Sequence, residues 1–437
     1  MNKIGIRHED KYRLERRTPL VPTDVSELVR DHGIPIFIES SSKRIFDDKE
    51  FKMAGAEVTD DLKECNVIFG VKEMPENYFL KDKTYVFFSH VIKGQPYNMP
   101  MLRNLKNAGS TLIDYEKIAD SNGQRLIFFG RFAGLAGMIN TFWAMGQRYK
   151  KLGYSTPFES LKQAYRYSSL EEARKDILTV GVNLAELGLP DELQPLVIAV
   201  TGDGNVSQGA MEILELVPGV EITADQLREG NIPETGIVKV NILPEDYMVH
   251  KEEKMFQLQD YIEKPQDYRS EIEVLLPRIN IFVNGIYWDK RYPRLIKKSW
   301  LRKMSEKNEL KLHVIGDITC DVHGSVECTE TATDIEDPVF IYNSLKDVYD
   351  MGFDGEGVAV MAVDILPSEL PREASEHFSF ALKPFMKRLA MADFSVELED
   401  LDLPGPIKNA IIVHKGQLTD DYKYLDRFLD TKFHNSI

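Results

Sequence analysis

Two stretches of strand–helix alternation predict an α/β protein with two Rossmann-like, doubly wound domains, a cleft between them and a discontinuous first domain. Three observations carry that expectation. Short apolar runs rich in β-branched and aromatic residues alternate with amphipathic segments, the pattern of a parallel sheet with helices on both faces. The pattern lapses in a polar stretch and restarts near Leu196. No repeat or low-complexity linker follows, so the chain is expected to return to its first domain rather than begin a third. The expected division is 1–131 plus 335–437 for the first domain and 132–334 for the second, and 437 residues suit two domains or three.

In the first stretch, residues 34–38 (IPIFI), 67–71 (VIFGV), 85–88 (YVFF) and 111–114 (TLID) read as buried strands. Residues 23–32 are amphipathic, with Thr23 or Asp24 placed to cap a helix and Gly33 to end it. Residues 128–148 (FFGRFAGLAGMINTFWAMGQR) form a long helical pattern with little charge, read as the crossing into the second domain. Its Ala133, Gly134, Ala136 and Gly137 leave room for a second backbone or for a ligand. The second stretch places strands at 196–200, 220–222, 236–240, 279–283 and 313–315. Segment 241–269 lacks clear periodicity and reads as loops and short helices. One more strand is expected at 357–363, then a helical tail at 371–392 and 406–433.

The net charge of −16 argues against a broad nucleic-acid surface, which needs a basic stripe. It leaves an anionic substrate open, because a few arginines can dominate a cleft. Three cysteines without a CxxC pair suit a reducing compartment. The charged N-terminus shows no signal peptide and no run is apolar enough to span a membrane, so a cytoplasmic protein without a membrane partner is expected.

The segment 200–210 (VTGDGNVSQGA) follows a strand and precedes a helical pattern. There Gly202 and Gly204 permit a tight turn and close approach of a pyrophosphate to the helix N-terminus. Ser207 stands where a third glycine is usual, so the fragment also reads as a plain turn. Glu221, on the following strand, is placed to accept from a ribose 2′-hydroxyl and so favours NAD, unless it faces solvent.

Four first-domain stretches hold unusual polar residues: 14–17 (LERR), 71–75 (VKEMP), 88–93 (FSHVIK) and 114–117 (DYEK). Taken singly, Lys72, His90 and Arg17 are ordinary surface residues. The last three stretches directly follow strands, however, and open α/β sheets bind ligands outside the carboxyl ends of their strands.

With these residues in view, the chain resembles the lysine–ketoglutarate reductase (saccharopine-forming) domain of the α-aminoadipic semialdehyde synthases. These belong to the saccharopine dehydrogenase and alanine dehydrogenase/transhydrogenase group. The likeness covers nearly the whole length and rests on strings such as LERRTPLVP (14–22), GVKEMP (70–75), FFSHVIKGQ (87–95), LIDYEKI (112–118), FAGLAGMIN (132–140), NGIYWDKRYPRL (284–295), GDITCDVHGS (316–325) and VDILPSELPREASEHF (363–378).

The resemblance implies an oxidoreductase that condenses L-lysine with 2-oxoglutarate and reduces the imine to saccharopine with NADPH. It makes the first domain substrate-binding and the second dinucleotide-binding. Lys72 and His90 match the acid–base pair, two neighbouring bases that depress each other's pKa toward neutrality. Glu73 and Glu116 match supporting carboxylates. Arg17, Arg125 and Lys93 match residues that grip the substrate. Gly202, Gly204, Asn205 and Val206 match the cofactor turn, with Asn284 and Asp317 or Asp321 near the nicotinamide. No metal is implied, and the nine histidines are scattered.

His323 departs from the Gly-Gly usual in relatives and puts Asp321 in doubt; Arg131 adds a charge where an aromatic or apolar residue is expected. Glu221 points to NAD against the family's NADPH. The glutamate-forming saccharopine dehydrogenase that follows in many relatives is expected on a separate chain. Two rivals remain: an NAD-dependent, lysine-forming saccharopine dehydrogenase, and a non-catalytic lysine- or nucleotide-sensing module.

Overall fold

Short, wholly buried strands form the centre of each sheet, as expected where helices cover both faces of a parallel sheet. The computed structural model describes residues 1–429. The chain divides into two units, Met1–Phe129 with the segment from Pro371 onward, and Gly130–Leu370.

The first unit runs through β1 (Ile4–Ile6), β2 (Ile36–Glu39), β3 (Glu57–Thr59), β4 (Val67–Phe69), β5 (Thr84–Phe87) and β6 (Thr111–Asp114). The second carries β7 (Leu196–Thr201), β8 (Val220–Ile222), β9 (Ile237–Ile242), β10 (Met248–His250), β11 (Tyr268–Ser270), β12 (Ile281–Asn284), β13 (Val314–Asp317), β14 (Val339–Asn343), β15 (Val348–Met351) and β16 (Val358–Met361). On its return the chain adds β17 (Ile411–His414) and β18 (Gln417–Leu418) to the first sheet.

The first sheet has the order β18-β17-β6-β5-β4-β1-β2-β3, parallel except at the returning hairpin. The second has the order β15-β14-β16-β13-β12-β7-β9-β8, parallel except for β14 and β15. Each sheet packs its own apolar core: Ile6, Phe69, Phe87 and Leu112 in the first, Val240, Phe282, Ile315 and Val360 in the second.

Several expectations change. The chain returns to the first unit at Pro371, later than residue 335, because β14, β15 and β16 pair into the second sheet. The helical tail at 406–433 is replaced by the β17–β18 hairpin and short helical turns, and its last four residues lie outside the described ones. Within 241–269 an antiparallel pair, β10 with β11, joins the short helices. Helix Pro22–His32 begins one residue before Thr23 with Val21 as its cap, and no side chain of its own caps it. The returning helix Pro371–Met391 instead receives the backbone donors of the segment leading into Pro22–His32: Thr18 N–H donates to Ser375 Oγ at 3.0 Å and the cap residue's own Val21 N–H to Ser379 Oγ at 3.1 Å. Gly33 ends that helix in the left-handed conformation, φ 62°.

Helix Gly130–Lys151 lies deep in the second unit. Its small residues serve backbone approach: a Cβ on Gly134 would fall 1.9 Å from the Val206 carbonyl oxygen, and one on Gly209 would fall 2.1 Å from that of Arg131. Arg131 is not a stray charge, since its guanidinium pairs with both oxygens of Glu212, at 2.6 and 2.7 Å. Among the described residues no helix is long and apolar enough to cross a membrane, and the three cysteines are free thiols.

Gly209→Val must push these two helices apart. It should destabilise the protein by about 1–3 kcal/mol or more, read from the urea midpoint; an unchanged midpoint would refute the close approach.

Candidate active site

In the first sheet the chain builds outward from β1, first to β2 and β3, then past β1 to β4, β5 and β6 on the other side. The junction of β1 with β4 is therefore the switch point, where side chains at strand ends face an open crevice. Glu9, Glu15 and Glu73 are buried beyond the carboxyl ends of β1 and β4, and Asp114 is buried at the end of β6.

After β1, Glu9 is 4% exposed. It accepts from the Val71 N–H at 2.7 Å and from the Lys72 N–H at 2.9 Å. Burial first, then Glu15, push its carboxyl up to about 7, against the two amides and Arg7. Glu15 is also buried, yet Arg17 outweighs the burial and holds its carboxyl below the usual range. Arg17 Nε donates to Glu15 Oε1 at 2.7 Å and Nη2 to Oε2 at 2.5 Å, while the guanidinium lies 4.2 Å from the centre of the Phe129 ring. Lys72 adds to the field that keeps Glu15 ionised.

Beyond β4, Glu73 Oε1 receives His90 Nδ1 at 2.7 Å and Lys11 Nζ at 2.7 Å. Burial pushes this carboxyl up, but His90 and Lys11 together hold it well below the carboxylate range. Beyond β5, His90 has φ 47°, a left-handed conformation rare for a side-chain-bearing residue. Asn98 fastens that turn, donating from Nδ2 to the carbonyls of Ser89 at 3.0 Å and His90 at 3.2 Å. At the end of β6, Asp114 accepts from the Ser89 hydroxyl and N–H and from the Glu116 N–H, and burial pushes it up to about 6.

Lys72, Glu73, His90 and Glu116 thus stand at the ends of three adjacent strands, and Arg17 enters through Glu15. Arg125 is drawn to Glu116, with Nη2 to Oε1 at 2.7 Å and its side chain 53% exposed. Lys93 is exposed in the following turn, its N–H donating to Gln95 Oε1.

In the second sheet the switch point lies between β7 and β12, and the glycine turn sits there. Gly202 has φ 89°, a conformation open to glycine, and its N–H donates to the Ile242 carbonyl at 2.9 Å. Ser207 closes the turn, donating from Oγ to the Thr201 carbonyl at 2.7 Å, which explains a serine where a glycine is usual. Gly204 precedes helix Asn205–Leu214, no side chain caps that helix, and a Cβ on Gly204 would meet nothing within 4 Å. Asn205 is exposed and Val206 half-buried. Open space beside uncapped helix amides suits a pyrophosphate, so these residues fit a dinucleotide.

Asn284 and Asp317 are paired across β12 and β13, with Asn284 Nδ2 donating to Asp317 Oδ1 at 2.8 Å and to Ser325 Oγ at 2.8 Å. Thr329 donates to the other Asp317 oxygen at 2.5 Å, and burial pushes this carboxyl up. Asp321 lies apart, exposed in the turn that His323 completes with φ 51°.

Glu221 does not stand beside the glycine turn. The strand adjoining β7 is β9; β8 is the outer edge, where Glu221 is exposed opposite Lys239. Chain order and sheet order diverge here, so an acid on the next strand in sequence is one strand too far out.

Glu9, Lys11 and Asn98 escaped the sequence reading. Glu9 follows β1, a strand of three residues too short to show periodicity, and Asn98 sits in a helical turn with no motif.

Residues 5–136 match the alanine dehydrogenase/PNT N-terminal domain and residues 238–421 the alanine dehydrogenase/PNT C-terminal domain. The chain is 39% identical over 97% of its length to an alpha-aminoadipic semialdehyde synthase of Arabidopsis thaliana, of which it spans 41%. It is 29% identical over 90% of its length to a saccharopine dehydrogenase [NAD(+), L-lysine-forming] of Yarrowia lipolytica, of which it spans 93%. An L-alanine dehydrogenase structure superposes with a TM-score of 0.62 at 20% identity, covering 98% of this chain and 100% of that one. The chain belongs to the alanine dehydrogenase/PNT family, with the two-unit α/β fold of that group.

Proposed function

We propose that this chain condenses L-lysine with 2-oxoglutarate and reduces the resulting imine to saccharopine. The observation that carries the reading is the pairing of each candidate base with its own carboxylate: His90 against Glu73, Lys72 in the field of Glu15. Lysine ε-ammonium must lose a proton before it attacks the keto carbon, and the carbinolamine oxygen must gain one to leave as water. Lys72 and His90 exchange those protons, and Glu73 and Glu15 hold the positive charge that each takes up. Glu116 orients Arg125. Arg17 and Arg125, with Lys93, receive the oxo-acid carboxylates, a task for which guanidinium groups are suited by geometry and permanent charge.

Gly202, Gly204, Asn205 and Val206 hold the dinucleotide, and Asn284 and Asp317 stiffen the strand ends beside them, with Asp321 at the periphery. The nicotinamide, when bound, supplies the hydride. NADPH is the proposed nucleotide, as the family resemblance implies: Glu221, the residue that favoured NAD, stands exposed on the edge strand away from the glycine turn. The saccharopine formed would serve a glutamate-forming dehydrogenase, and the free thiols suit the cytoplasm.

The NAD-dependent, lysine-forming direction is the second reading, favoured by the likeness to the Yarrowia enzyme. Assays in both directions with both nucleotides separate the two. NADPH oxidation dependent on lysine and 2-oxoglutarate is expected; preference for NAD⁺ with saccharopine would reverse the assignment. Tight ligand binding with no turnover in any combination would favour the sensing module.

Lys72→Met should lower turnover at least about tenfold and up to the roughly 10²–10⁴ usual for general acid–base groups; near-normal turnover would remove Lys72 from the chemistry. Arg17→Ala should raise the apparent constant for 2-oxoglutarate and spare that for nucleotide. It also strands a buried carboxylate, at a cost of about 3–5 kcal/mol near neutral pH. Because Arg17 holds the Glu15 carboxyl low, the pair's contribution is complete above the ordinary carboxylate range and is lost as the pH falls through the depressed value. The stability gap between Arg17→Ala and the unaltered protein should therefore narrow on acidification, and a gap constant with pH in urea titrations would contradict it.

A further inference from the structure

We infer that Glu9 is a positioning residue for Lys72: its carboxylate grips the two successive peptide groups that lead into Lys72. The inference rests on the proposed acid–base role of Lys72. Both Glu9 oxygens are used, Oε1 by the Val71 N–H at 2.7 Å and Oε2 by the Lys72 N–H at 2.9 Å. These amides follow β4, so no ladder partner on β1 or β5 claims them. The grip spans the switch point, because Glu9 follows β1 and Lys72 follows the neighbouring β4. A carboxylate offers two acceptors to two successive donors at a strand end, a pairing that no neutral side chain of the same size reproduces.

The charges around Glu9 keep it in place. Arg7 stacks 4.5 Å from the centre of the Tyr78 ring, and its field opposes the burial of the carboxyl. Arg44 also feels Glu9, and Glu15 repels it. Tyr115 is raised well above its ordinary value and stays neutral. Between mildly acidic and mildly basic pH the arginines remain charged and Glu15 remains ionised. Glu9 is then the member of this group whose protonation changes.

Glu9→Gln tests the grip because it keeps the volume. It supplies one acceptor and turns an NH₂ toward the second amide, so a packing role would leave it silent and a gripping role would not. On the full chain, hydrogen exchange at Val71 and Lys72 should quicken about tenfold or more. Turnover with lysine, 2-oxoglutarate and NADPH should fall about tenfold, with the apparent constant for NADPH unchanged. Unchanged exchange overturns the proposal, and so does faster exchange with unchanged turnover. If the unaltered chain does not turn over these substrates, the reaction assignment fails and exchange alone judges the grip.

Should Glu9→Gln not fold, the unaltered protein gives the answer. Glu9 is raised to about 7, so exchange protection of these two amides, corrected for intrinsic rate, should fall as the pH is lowered from about 8 to about 6. The proton removes an acceptor. Protection that stays flat across that window defeats the grip.

Discussion

Four carboxylates buried at or just beyond the ends of β1, β4 and β6 are the constraint on which the first unit depends. Glu9, Glu15, Glu73 and Asp114 cannot all be ionised in a dry interior without partners, and each is answered differently. Glu15 takes a bidentate arginine, Glu73 a histidine and a lysine, Asp114 a hydroxyl and two amides, Glu9 two amides. The charged partners keep Glu15 and Glu73 ionised, while neutral donors leave Glu9 and Asp114 raised toward neutral pH. One small region thus holds carboxyl groups in both conditions, which proton-transfer chemistry can use.

The second unit solves another problem, the approach of backbone to backbone. Gly134 and Gly209 allow helix Gly130–Lys151 to press against the helix that follows the glycine turn. Ser207 ties the turn to Thr201, and Asn284 and Asp317 lock the neighbouring strand ends. A rigid frame surrounds the uncapped helix start, so the amides that await an anion are already oriented.

How far the sequence could be read follows from what each signal depends on. The strands and the glycine turn showed because local composition sets them, and the strand-end residues Lys72, Glu73, His90 and Glu116 because they follow such strands directly. Partnerships across the fold were hidden. Glu9 bonds to residues sixty positions away, and the turn around His90 is fixed by Asn98, which has no motif. Glu221 misled for a related reason: chain order does not give sheet order when β9 inserts between β7 and β8. The late return at Pro371 was equally invisible, since the segment carrying β14 to β16 could pair with either sheet until the pairing was seen.

The returning hairpin has a consequence for biogenesis. Ile113 of β6 pairs with Ile411 of β17, and the whole second unit lies between them in the chain. During synthesis the second unit can complete its sheet as one continuous stretch. The first must wait with its β6 edge uncovered until the ribosome has delivered the final strand. Contacts so distant in sequence are slow to close, and an open strand edge invites other chains. Of the two units, vectorial synthesis therefore makes the one begun earlier the later to finish, and its exposed edge is where a chaperone would be of most use.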